Sequence, residues 1–183
     1  MEKILFINAC VRPNSRTLEL ANSVLEKLSG EVEEVTLYSE DLSPLNLTEM
    51  EIRENASKNK DFSADNFKLA RQFAKAETIV IAAPYWDLMF PSILKNYIEK
   101  ITVSGLTFVY GQNGRPQGLC KAKKLIYVTT SGGPIFYNFG YDYVCALAKG
   151  FFGIDDVQLV KAEGLDVYGA DVKAILESAK KIF

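Results

Sequence analysis

The sequence predicts an α/β protein with a doubly wound, five-stranded parallel sheet in three αβα layers. Three observations carry this reading. Residues 79–88, IVIAAPYWDL, are apolar and carry no charge before Asp87, and only a strand covered on both faces is apolar at consecutive positions. Strand-like runs alternate with helical periodicity along the whole chain, the pattern of a parallel sheet wrapped by helices. The strand-like runs also end in loops of polar, aromatic or glycine residues, where open α/β sheets receive ligands.

The chain has 183 residues, 48% of them hydrophobic, which suits one domain over residues 1–183 and excludes a largely disordered chain. A net charge of −2 gives no reason to expect nucleic acid. Cys10, Cys120 and Cys145 are odd in number and far apart, so neither a disulfide framework nor a zinc site is expected, and a reducing cytoplasm is the expected compartment. No run approaches the roughly 18 apolar residues of a membrane span. Histidine is absent, which removes Ser/His and Cys/His nucleophile pairs and histidine-held metals. Proton or hydride chemistry then needs other groups or a cofactor.

Residues 3–8, KILFIN, form the first strand. A helix over residues 15–29 places Leu18, Ala21, Leu25 and Leu28 on one face, and Gly30 is expected to end it. Residues 32–38 alternate imperfectly and read as a second, more exposed strand, which completes a right-handed βαβ unit. Residues 39–66 turn polar, with Pro44 and a capping box from Thr48 to Glu51 that starts a short helix. Phe67, Ala70, Phe73 and Ala74 resume helical spacing and lead into the central strand. Pro91 opens the next helix, whose inner face carries Leu94, Tyr97, Ile98 and Ile101. Residues 107–118 hold an Asn-Gly pair between strand-like residues and predict a hairpin arm, with Phe108 and Tyr110 facing a partner subunit. Residues 125–130, LIYVTT, make the fourth strand of the sheet. A helix with Val144, Leu147, Ala148 and Phe151 follows, then a fifth strand at 157–162 and a closing helix at 171–183. The strand order expected is the flavodoxin-like one.

Three loops fall at the crevice end of this sheet. After the first strand, CVRPNSRT puts Ser15 and Thr17 at a helix start, where free N–H groups and the positive dipole end favour a phosphate. Arg12 and Arg16 add charge-assisted contacts. The plainer alternative is an ordinary N-cap with two solvated arginines. After the central strand come Pro84, Tyr85, Trp86, Asp87 and Leu88. They form either a platform for a flat heteroaromatic ring or a plug for the sheet's end, with Asp87 as a helix cap. The third loop has Thr130, Ser131, Gly132 and Gly133, where glycine lets backbone approach a ligand closely or simply makes a turn. A single mononucleotide would reach all three.

The runs KILFINACVRPNSRT, IVIAAPYWDLMFPSILKNYIEKITVSGLTFVYGQNGRPQGL and LIYVTTSGG resemble the flavodoxin-like NAD(P)H:quinone oxidoreductases, and most closely the FMN-dependent NADH azoreductases. The likeness spans nearly the whole chain. It implies a homodimer with FMN at the subunit interface. It implies FMN phosphate at Ser15, Arg16 and Thr17, with Cys10 standing where the family usually has a serine. Flavin-ring contacts are implied from Pro84, Tyr85, Trp86, Asp87 and Leu88 and from Thr130, Ser131, Gly132 and Gly133. Asp87 stands where many members have asparagine, and an ionised carboxylate accepts hydrogen bonds but donates none. Phe136, Tyr137 and Tyr141 are the expected cover of the substrate face.

The expected activity is two-electron, ping-pong reduction of a quinone or azo compound by NADH or NADPH through FMN, with the cofactor carrying the chemistry. One alternative is a flavodoxin-type electron carrier. Such carriers are usually strongly acidic, and 21 basic residues against 23 acidic ones oppose it. The other alternative is a flavin-free regulatory domain that kept the fold without the site.

Overall fold

The computed structural model describes residues 1–183. In chain order the elements are β1 (Lys3–Asn8), α1 (Arg16–Leu25), β2 (Glu31–Thr36), α2 (Leu47–Asn59), α3 (Lys68–Lys75), β3 (Thr78–Ala82) and α4 (Ser92–Ile101). They continue with β4 (Phe108–Tyr110), β5 (Pro116–Gly118), β6 (Lys124–Thr130), α5 (Phe139–Leu147), β7 (Asp156–Ala162) and α6 (Val172–Lys180). Five strands form one parallel sheet in the order β2-β1-β3-β6-β7. Counted along the sheet's own strands this is 2-1-3-4-5, the flavodoxin-like order, with its switch point between β1 and β3.

Alternation along the strands sorts the core into two layers. Leu5, Ile7, Ile79, Ile81, Leu125 and Tyr127 face the layer of α3, α4 and α5, where Phe73, Leu94, Tyr97 and Val144 meet them. Ile4, Phe6, Val80, Ala82, Ile126 and Val128 face α1 and α6, against Leu20, Val24, Leu176 and Ala179. Every residue of β3 is buried, as expected of a central parallel strand. No helix is long and apolar enough to cross a membrane.

Several local expectations are corrected. Helix α1 stops at Leu25, before Gly30. That glycine instead leads into β2, because a Cβ there would lie 2.5 Å from the Glu2 carbonyl oxygen. The capping box of α2 is Asn46 with Glu49, not Thr48 with Glu51: the Asn46 side chain accepts from the Glu49 N–H, and Glu49 accepts from the Asn46 N–H. This helix runs for 13 residues and is tied to the body of the protein. The Arg53 guanidinium donates to the carbonyls of Glu99, Lys100 and Thr102, covering the C-terminal end of α4. The start of α4 is as expected, with Pro91 as its N-cap.

The arm at residues 107–118 is an antiparallel hairpin, β4 against β5. Tyr110 is exposed as expected, but Phe108 is buried against Phe151. Gly118 sets the arm down on the body, since a Cβ there would fall 2.1 Å from the Phe152 carbonyl carbon.

Candidate functional site

At the carboxyl ends of β1, β3, β6 and β7 the loops enclose an open crevice of about 310 Å³. Its walls include Arg12, Ser15, Arg16 and Thr17 from the first loop, Pro84, Tyr85 and Trp86 from the second, and Thr130, Ser131 and Gly132 from the third. The three predicted loops therefore meet at one place.

The first loop is held by the cap of α1. Ser15 is extended, and its hydroxyl accepts from the Leu18 N–H at 3.4 Å. The N–H groups of Arg16 and Thr17 have no acceptor, so the start of α1 presents unpaired donors and the positive end of its dipole. Thr17 is buried, and its hydroxyl pairs with that of Thr130 at 2.6 Å, joining the first loop to the third. Arg12 has no ion-pair partner and is exposed at the mouth.

In the second loop Tyr85 is tied down at both ends. Its N–H donates to the Thr130 carbonyl, and its hydroxyl donates to the Tyr137 carbonyl at 2.7 Å. Trp86 and Met89 exchange both backbone hydrogen bonds, at 2.9 and 2.8 Å. Between them Asp87 and Leu88 have φ of 50° and 67°, the left-handed pair that a tight type I′ turn demands. Asp87 is therefore a turn residue and not the expected helix cap. Asp87 and Leu88 are exposed just beyond Trp86, outside the crevice lining, with N–H groups that have no acceptor.

The third loop shows why one of its two glycines is there: a Cβ on Gly132 would fall 2.3 Å from the Asp166 carboxylate. The carbonyls of Ser131, Gly132 and Gly133 accept from the N–H groups of Leu165, Asp166 and Gly164, at 3.2, 2.8 and 3.1 Å. The N–H groups of Gly132 and Gly133 are left without acceptors. Gly133 is not part of the crevice lining, and a Cβ built on it would meet nothing within 4 Å.

Three expected residues do not fit their assignments. Cys10 is buried beneath the first loop; its N–H donates to Asn8 and its thiol lies 3.9 Å from the Ala82 carbonyl, so it forms no part of the wall. Burial raises the Cys10 pKa and keeps the thiol protonated. Tyr141 points away from the crevice, its hydroxyl donating to the Val157 carbonyl and its ring against Tyr127. Tyr137 does lie near the mouth, stacked on Phe139 at 5.7 Å, and Phe136 is exposed beside it. Phe108 is the third, as noted above.

Sequence reasoning missed a fourth loop, after β7. Asp166 lines the crevice and pairs with Arg16 at 2.8 Å, while Arg16 also donates to the Leu165 carbonyl at 3.0 Å. The available signal was positional: β7 is parallel to its neighbours, so its following loop had to open on the same edge.

An open parallel sheet with this strand order, and a crevice lined by unpaired N–H groups and arginines at its carboxyl edge, define a protein of the flavodoxin-like class. Residues 2–183 match the flavodoxin-like fold family, and the chain belongs to it. It is 38% identical to an FMN-dependent NADH:quinone oxidoreductase of Clostridium acetobutylicum, over 97% of this chain and 94% of that protein. A protein of the same name from Coprothermobacter proteolyticus is 37% identical, with 99% and 96% covered. Among solved structures, an FMN-dependent NADH-azoreductase from Bacillus anthracis in complex with FMN superposes with a TM-score of 0.80 at 25% identity, covering 100% of this chain and 95% of that one.

Proposed function

We propose that this chain is an FMN-dependent NADH:quinone oxidoreductase, with azo compounds as a second class of acceptor. The carrying observation is a set of unpaired backbone donors on the loops of one crevice: Arg16, Thr17 and Gly132 line it, and Asp87, Leu88 and Gly133 follow directly on lining residues of the second and third loops. That donor set suits FMN: a phosphate at one end, carbonyl and ring nitrogens at the other, and a flat ring between.

The N–H groups of Arg16 and Thr17, with Ser15 and Arg12, hold the phosphate. Pro84, Tyr85 and Trp86 support the ring, and the turn at Asp87 and Leu88 addresses its edge. Thr130, Ser131, Gly132 and Gly133 face the pyrimidine side, where N–H donors stabilise negative charge. FMN, when bound, supplies the hydride acceptor and donor. The residues of the chain bind and orient it, and no side-chain acid or base is required, in keeping with the absence of histidine. Phe136 and Tyr137 cover the side from which nicotinamide and acceptor approach. The exposed Val109 and Tyr110 of the arm support a homodimer with the site at its interface, and three free cysteines support a cytoplasmic location.

An absorption spectrum of the purified protein, taken after adding FMN and again after anaerobic NADH, tests the reading. Bound flavin bands that bleach with NADH, and recover with menadione, are the expected result. Bands that stay unbleached leave an electron carrier, and no binding at all leaves a flavin-free domain. Parallel double-reciprocal lines are expected for the steady state, and light scattering is expected to report a dimer.

A further inference from the structure

The loop after β7 has no role in the proposed function, yet it gives the third loop three backbone hydrogen bonds. Three consecutive N–H groups, of Gly164, Leu165 and Asp166, donate to the carbonyls of Gly133, Ser131 and Gly132. Each peptide of that loop thereby turns its carbonyl toward the strap formed by residues 164–166. The N–H groups of Gly132 and Gly133 remain free. Leu165 is buried and roots the strap in the core beside α6. Its outer end is closed by Arg16, which donates to both the Leu165 carbonyl and the Asp166 carboxylate. The Asp166 carboxylate also lies over Gly132, so that a Cβ on Gly132 would fall 2.3 Å from Oδ2.

We infer that Asp166 is a positioning residue: through Arg16 and the strap it aims the Gly132 and Gly133 donors at the ring edge of the bound flavin. The inference rests on the proposed FMN site. Stability does not explain the ion pair. Its side chains are 36% and 66% exposed, and exposed pairs contribute little to folding. Simple electrostatics would place no carboxylate beside a phosphate. A positional role accounts for both facts.

Riboflavin separates the two effects, because it has the ring but no phosphate. Affinities of FMN and riboflavin are to be measured by quenching of flavin fluorescence for the wild type, Asp166→Ala, Asp166→Asn and Asp166→Glu. If Asp166 aims the glycine donors, Asp166→Ala weakens both ligands about five- to tenfold, Asp166→Asn weakens both by less, and Asp166→Glu recovers part of the loss. The melting temperature changes little in each. An unchanged riboflavin affinity in Asp166→Ala overturns the inference, and so does tighter FMN binding in Asp166→Asn, which is the signature of a mere neighbouring charge. A wild-type protein that binds neither ligand overturns the FMN reading itself, a result separate from equal binding by wild type and variants.

Discussion

The body of the central strand and its carboxyl end are adjacent in sequence and opposite in design. Residues 78–82 are buried, paired on both sides, and carry no exposed polar group. Residues 86–88, a few positions on, are exposed, include two left-handed non-glycine residues, and hold N–H groups without acceptors. Burial of apolar surface stabilises the first. The second forgoes that stabilisation and leaves donors free for a ligand.

The contrast is tested first by truncating the body. Ile79→Ala empties a fully buried site and is expected to cost roughly 2–5 kcal/mol, read as a lower urea midpoint with an unchanged slope. The Thr17–Thr130 hydroxyl pair lies on the boundary, buried but between two crevice loops. Thr17→Val strands the Thr130 hydroxyl and is expected to cost about 1–3 kcal/mol, whereas Thr17→Val with Thr130→Val costs less than the sum of the single changes. Purely additive urea midpoints would show that the pair is not a unit.

At the carboxyl end the signature reverses, with binding affected and stability spared. Trp86 is 44% exposed, and Trp86→Ala is expected to weaken FMN about tenfold, the scale of one ring-stacking contact, with the melting temperature nearly unchanged. The smallest effect is expected at Leu88. With φ at 67° it sits where glycine is easier, and Leu88→Gly is expected to stabilise the fold by up to about 1 kcal/mol. A loss of stability there would show that Leu88 makes packing contacts in solution that its exposure does not suggest.

The elements that were legible in the sequence share one property: their signal is local and repeated. The run IVIAA announces a doubly covered strand, and Leu94, Tyr97, Ile98 and Ile101 mark the buried face of α4. The misreadings share the opposite property. Gly30 looks like a helix stop, and only the Glu2 carbonyl beside it explains it. Phe108 looks like a partner contact until Phe151 covers it. Tyr141 follows the glycine loop closely in sequence, but the first turn of α5 directs it to Val157.

The sequence alone determined the layer architecture and the three loops named for the crevice, because periodicity and strand direction follow from spacing along the chain; the strand order was an expectation that pairing in the folded sheet settled. Tertiary structure alone decided which groups in those loops are free. The carbonyls of the third loop are taken up by residues 164–166, and Arg16 is shared with Asp166, 150 positions away. Hydrogen bonds between segments so far apart leave no periodic trace, so the unpaired donors that define the site emerge only when the chain is folded.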